Sequence, residues 1–232
     1  MAHVHMNFSS AVLGRGTVCE VILPERTGRW LDVTSGQVKK PSVLWLLHDL
    51  TDDESAWARY SAVERYANRR GLAVVMPSAD RSYYANMEHG GRYFDFIADE
   101  LPAMMQRYFG FSAAREDNYI AGAGMGGYGA LRIGLANPDR YAAVGCISAG
   151  NTDADFTAAA KAVAAGNGPA PRIYHTIGST DRWLPDAHET RDTLLSLDGN
   201  RFDYHYEELP GRHEWAFFDA AVARFITFAL PE

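Results

Sequence analysis

Asp181 and His213 are the residues of this chain whose types, order and settings could do chemistry together. "TIGSTD" closes an apolar run and delivers Asp181; "LPGRHEW" follows a later run and delivers His213 just before a helical stretch. An aspartate behind a histidine holds the ring in one tautomer and leaves its other nitrogen free to move a proton. Such a pair serves a nucleophile on a sharp strand-to-helix turn, and "YIAGAGMGGYGA", Tyr119 to Ala130, has the make-up of that turn. Gly122, Gly124 and Gly126 fill the marked positions of G-x-S-x-G, where small residues are needed because strand and helix backbones nearly touch. The central position, which should carry the attacking hydroxyl, is Gly124. Gly122, Gly124 and Gly127 also fit a phosphate-cradling G-x-G-x-x-G, but the turn follows the third parallel strand and no acidic residue ends a strand about 20 residues on, so a dinucleotide is not expected.

A developing negative charge at such a turn is met by backbone N–H groups, one from the residue after the nucleophile and one from an earlier loop. Those donors are Met125 and, in "LWLLHDLTDD", Leu50. His48 reads as a structural hydrogen-bonding residue under that loop. Ser148 and Cys146 follow on the next strand, without an elbow to present them. His3 and His5 alternate on an edge strand and so share one face; with no cysteine or carboxylate cluster beside them, neither a metal nor a cofactor is expected.

The elements needed to hold these groups alternate along the chain. Continuous apolar runs at Ser42–Leu47, Leu72–Met76, Asn118–Gly122, Ala142–Ser148, Arg172–Ile177 and Asp203–Glu208 read as strands buried on both faces. Helical patterns lie between them at Ala56–Arg69, Tyr93–Tyr108, Gly126–Ala136, His188–Leu197 and Glu214–Ala229, with a short Ala-rich helix expected within Asn151–Pro171. An N-terminal pair, His3–Leu13 and Thr17–Leu23, joined by "GRG", reads as an antiparallel hairpin at the sheet edge. This is an α/β chain with a mostly parallel sheet and helices on both faces, expected to form one domain over residues 1–232. Ligands of such sheets bind at the carboxyl ends of the strands.

Composition narrows the partners. With 22 basic and 29 acidic residues and a net charge of −7, the chain lacks the electrostatic footprint of a nucleic-acid or anionic-membrane binder. Its two cysteines, Cys19 and Cys146, sit in apolar runs and read as free buried thiols. The start, "MAHVHMNFSS", lacks a basic region followed by an apolar one, and no apolar run could span a bilayer, so a cytoplasmic protein is expected. The edge strand offers a pairing surface for a second copy, hence a homo-oligomer.

"VLWLLHD", "AVVMPSADRSYY", "GGRYFDFIADELP", "REDNYIAGAGMGGYGALRIGLANPDRYAA", "IGSTD" and "GRHEWAFFD" occur in order over almost the whole chain. Together they resemble the esterase D and tributyrin-esterase group of α/β-hydrolases, relatives of S-formylglutathione hydrolases and feruloyl esterases. The resemblance implies an α/β-hydrolase fold with a small cap or none. It puts the family's serine at Gly124, its acid at Asp181, its base at His213 and its oxyanion donors at Leu50 and Met125. Trp57, Tyr84 and Trp183 become candidates to line the pocket, and a small ester or acid becomes the expected ligand. Asp49 stands where the family usually has glycine. A carboxylate there disfavours an anionic intermediate and, near His213, favours the protonated ring. Three functions follow: a short-chain or aromatic-acyl carboxylesterase whose nucleophile has been replaced, an enzyme that works without the serine through His213 and Asp181, or a binding protein that has lost the chemistry.

Overall fold

The computed structural model describes residues 1–25, 40–151, 153–197 and 201–230. Eight strands form one sheet: β1 (Ala2–Ser10), β2 (Arg15–Leu23), β3 (Ser42–Leu47), β4 (Leu72–Pro77), β5 (Asn118–Ala123), β6 (Ala143–Ile147), β7 (Arg172–Gly178) and β8 (Tyr204–Leu209). Their spatial order is β1-β2-β4-β3-β5-β6-β7-β8. The β1–β2 and β2–β4 pairs are antiparallel and all others parallel, so the expected edge hairpin on a parallel sheet is present. Its turn is Ala11–Gly14, not "GRG": Arg15 already pairs with Ser10, and Glu100 caps the turn by accepting from the Ser10 hydroxyl and, at 2.7 Å, from the Ala11 N–H.

Strand periodicity splits the core in two. On β3, Val43, Trp45 and Leu47 face one layer while Leu44 and Leu46 face the other. The first layer is closed by α3 (Tyr93–Asp95), a π turn (Phe96–Glu100), α4 (Leu101–Phe109), α5 (Met125–Ala136), α6 (Ala154–Ala165) and α7 (Leu184–Leu197). The second is closed by α1 (Ala56–Tyr60), α2 (Val63–Arg69) and α8 (Trp215–Ala229). The helix expected over Ala56–Arg69 breaks at Ser61 and Ala62, where the Asp219 carboxylate takes the Ala62 N–H at 2.7 Å and the Ser61 hydroxyl bonds the Trp57 carbonyl at 2.5 Å. The one expected over Tyr93–Tyr108 carries a π turn that ends at Glu100, one residue short of Pro102, where the proline has no N–H to continue the ordinary ladder.

β3 is flanked by β4 on one side and β5 on the other, so the chain reverses its direction of winding there. The loops leaving the carboxyl ends of β3 and β5 part to opposite sides and leave a crevice. Asp49 lies on the first loop and Gly124 on the second.

Candidate active site

The turn after β5 is as tight as its glycines suggest. A Cβ on Gly122 would lie 2.4 Å from the Gly126 carbonyl carbon, and one on Gly126 would lie 2.3 Å from the Leu47 oxygen. Gly124 sits at φ 53°, ψ −120°, a left-handed strain that glycine relieves. α5 starts at the next residue, so the Met125 N–H has no partner within the helix.

That N–H donates to Asp49. The Oδ1 atom of Asp49 lies 2.7 Å from the Met125 nitrogen, and the neighbouring Leu50 amide helps to hold the carboxylate ionised. A Cβ added to Gly124 would come within 1.9 Å of the same Oδ1. Asp49 therefore fills both the expected oxyanion hole and the space of the missing side chain. The sequence places Asp49 as a charge beside the expected donors; its carboxylate lies directly on one of them, the Met125 N–H.

His213 lies between two carboxylates. Its Nε2 is 2.9 Å from Asp49 Oδ2 and its Nδ1 is 3.3 Å from Asp181 Oδ2. The β7 and β8 loops hold this arrangement: the Thr180 N–H and hydroxyl both donate to the Gly211 carbonyl, at 3.0 and 2.8 Å, and the Trp183 N–H donates to Asp181 Oδ1 at 2.9 Å. Phe218 packs edge-on against the imidazole at 5.0 Å. An ionised carboxylate can only accept, so both ring nitrogens must donate and the ring is an imidazolium. Burial works against that charge, but the bonds from Asp181 and Asp49 outweigh it and raise the His213 pKa from 6.5 to about 9. Burial would likewise raise both aspartates, yet each is held below the usual carboxylate range, Asp49 by His213 and the Met125 and Leu50 amides, Asp181 by His213, the Trp183 amide and the Ser148 hydroxyl.

A pH dependence follows. Because the folded pKa of His213 is raised, its stabilising contribution is complete below about pH 6.5 and disappears as pH climbs through about 9. The carboxylates, held low, contribute above their unfolded pKa near 3.9. Urea unfolding should show the wild type losing on the order of 1–3 kcal/mol between pH 6.5 and 9, and an Asp49→Asn variant, which keeps only Asp181 beside the ring, losing distinctly less. Nitrogen-15 titration of that variant should find His213 well below 9; an unmoved value would mean that Asp49 does not set the ring's charge.

The pocket above this triad has a volume of about 330 Å³ and is lined by Asp49, Leu50, Gly124, Met125 and Ser148, by Tyr83, Tyr128 and Trp183 at its rim, and by Asn151, Asp153, Arg182 and Asp186. Trp183 thus stands where expected, but Trp57 and Tyr84 do not reach the cavity. Trp57 is fully buried in the second core layer and donates to the Leu47 carbonyl at 2.9 Å; Tyr84, buried in the first layer, donates to the His48 carbonyl at 3.0 Å. His48 accepts from the Ala79 N–H at 3.0 Å and donates to the Asp49 carbonyl at 2.8 Å, tying the loop to the end of β4. Asn151 was not singled out from the sequence, although its place just beyond the carboxyl end of β6 was the available signal. It is buried; its Oδ1 accepts from Asp153, which leaves Nδ2 without a partner.

Cys146 is buried with its thiol pushed far up by burial, and the Cys19 thiol rises to about 12, chiefly for the same reason. Glu20 on β2 lies between His3 and His5, 2.9 Å from one ring and 2.7 Å from the other. No group of three metal-ligating side chains with suitable geometry occurs among the described residues.

Comparison with known proteins agrees with the fold. The family described as "Putative esterase" matches residues 10–227. The chain belongs to this esterase family. An acetyl esterase of Caldicellulosiruptor saccharolyticus is 26% identical, with 96% of each chain covered. Among solved structures, the fluorophosphonate-binding serine hydrolase F of Staphylococcus aureus, with substrate bound, superposes with a TM-score of 0.88 at 30% identity, covering 100% of this chain and 99% of its own. The S-formylglutathione hydrolase of the same organism gives 0.81 at 30% identity, with 98% of both chains covered. No helix among the described residues is long and apolar enough to cross a membrane.

Proposed function

We propose that this esterase-family protein is a hydrolase that works without a serine, its chemistry carried by Asp49 and His213 with Asp181 behind them, on a small uncharged ligand. One observation carries the reading: the Asp49 carboxylate spans the Met125 amide at 2.7 Å and His213 Nε2 at 2.9 Å, the two groups a serine hydroxyl and its oxyanion would use. The crowding between Asp49 and any side chain at 124 argues that the two residues belong together. It speaks against an ordinary ester hydrolase altered at position 124 alone. The foot of the pocket already holds an anion, and on its wall Asp153 and Asp186 outnumber Arg182, so a ligand's own carboxylate is disfavoured at the foot.

The test combines labelling and turnover. A fluorophosphonate should leave the protein unmodified, since position 124 offers no hydroxyl to His213. Slow hydrolysis of p-nitrophenyl acetate, roughly 10³-fold or less above water, should persist and be lost in His213→Ala. Labelling at this site, or turnover unaffected by His213→Ala, would overturn the reading. So would binding of small ligands with no turnover of any ester or other hydrolysable electrophile, which belongs to a binding protein.

A further inference from the structure

An anion in the oxyanion hole restricts what that hole can do. The Met125 and Leu50 amides are engaged by Asp49, so an incoming ester carbonyl finds no free donors there. The carbon whose tetrahedral oxyanion these amides are placed to stabilise is Cγ of Asp49 itself. Such an intermediate arises only if Asp49 has first become an ester. A carboxylate that displaces a leaving oxygen at saturated carbon becomes one.

We propose, resting on the serine-less reading above, that Asp49 is a nucleophile toward the saturated carbon of an epoxide, and that the site hydrolyses epoxides to diols through an ester of Asp49. Oδ1 stays on the amides while Oδ2, on the side of His213, attacks a ring carbon and breaks its C–O bond. The released oxygen, on the far side of that carbon from Oδ2, takes a proton from a water that His213 Nε2 reprotonates, which leaves a hydroxyalkyl ester and a neutral imidazole. The ester carries no charge, so His213 has lost one of the two anions that kept it protonated and can now take a proton from water. Hydroxide adds to Cγ, and the negative charge that develops on Oδ1 falls on the Met125 and Leu50 amides. Collapse expels the diol oxygen, which takes the proton of the newly formed Asp49 carboxyl. Asp49 is again a carboxylate and His213 an imidazolium. The sum is one epoxide and one water giving one diol, with no other reactant.

The rest of the pocket suits such a substrate. An epoxide brings no charge into a cavity whose foot is anionic, and its opening requires an acid, which His213 supplies in the resting state. Asn151 Nδ2, buried on the pocket wall without a partner, is a donor available to the substrate oxygen. Tyr83, Tyr128 and Trp183 at the rim favour an aromatic substituent, so styrene oxide is the probe.

The intact protein is incubated with styrene oxide in water enriched in oxygen-18, and the peptide containing Asp49 is analysed by mass spectrometry. Heavy oxygen is expected in the Asp49 carboxyl, with the diol of a single turnover carrying none. His213→Gln lacks both the acid of the first step and the base of the second, so protein heavier by one molecule of epoxide should form slowly and then persist, its breakdown slowed about 10²- to 10⁴-fold, and Asp49→Asn should form no adduct. Diol formed with the label in the diol and none in Asp49 overturns the nucleophile but leaves an acid-base dyad standing. Turnover of p-nitrophenyl acetate without conversion of styrene oxide overturns the substrate class, as does conversion of 1-bromobutane in place of the epoxide, since a halide needs no proton. Loss of every activity overturns the serine-less reading itself.

Discussion

Changing Asp49 to glycine and Gly124 to serine together should raise p-nitrophenyl acetate hydrolysis by at least about 10³-fold, while Gly124→Ser alone gains little. The asymmetry has a geometric cause. A Cβ at position 124 would stand 1.9 Å from Asp49 Oδ1, which is held by the Met125 amide, while Oδ2 is held by His213. A lone serine must expel the carboxylate from both anchors, and the displaced anion would still hold His213 as an imidazolium, unable to take the hydroxyl proton. Removing Asp49 in the same step empties the amides for a substrate oxyanion and lowers the His213 pKa toward that of a general base. The backbone at 124, at φ 53°, already has the shape that exposes a side chain to the pocket. Steady-state kinetics of both single variants and the double variant form a cycle whose coupling energy is the measurement. If Gly124→Ser alone matches the double variant, Asp49 is not the occupant that excludes the serine.

How far the sequence leads depends on whether a feature is local. The inner strands of the parallel sheet were legible because each is largely apolar, a consequence of burial on both faces, as in Ser42–Leu47, where the expected and observed limits coincide; β8, read as another buried apolar run, is instead a partly exposed edge strand, Tyr204–Leu209, with two glutamates. The elbow was legible because Gly122 and Gly126 are required by contacts within a few residues of one another or at the end of the neighbouring strand. Helix continuity was less so, since the break at Ser61 and Ala62 depends on Asp219, 157 residues away from Ala62. Asp49 marks the limit at the site. Its departure from the family pattern was visible, and so was its effect on His213, but the carboxylate's place in the hole is set by partners 76 and 164 residues distant. The side chain could as well have turned outward, and no local pattern decides between these directions.

The same limit governs the aromatic residues, and here the expected effect is on stability. Trp57→Ala should cost about 3–5 kcal/mol in urea unfolding. Trp57 is fully buried, meets Trp215 edge-on at 5.0 Å, and its Nε1–H satisfies the Leu47 carbonyl at the end of β3. Truncation removes the ring, leaves a cavity between α1 and α8, and strands a buried acceptor at the root of the Asp49 loop. Trp57→Phe keeps much of the volume but not the hydrogen bond and should lose about 1–2 kcal/mol. Trp183→Ala should change stability by no more than about 0.5 kcal/mol, because that ring is 41% exposed on the pocket rim, and its effect should fall on ligand binding. Composition treats the two tryptophans alike, each following an acidic or polar turn near a strand end. What separates them is the face of the sheet on which the following helix lands: α1 packs into the second core layer, whereas Trp183 immediately precedes α7 at the mouth of the crevice. Equal losses for Trp57→Ala and Trp183→Ala would contradict that division of the sheet's two sides.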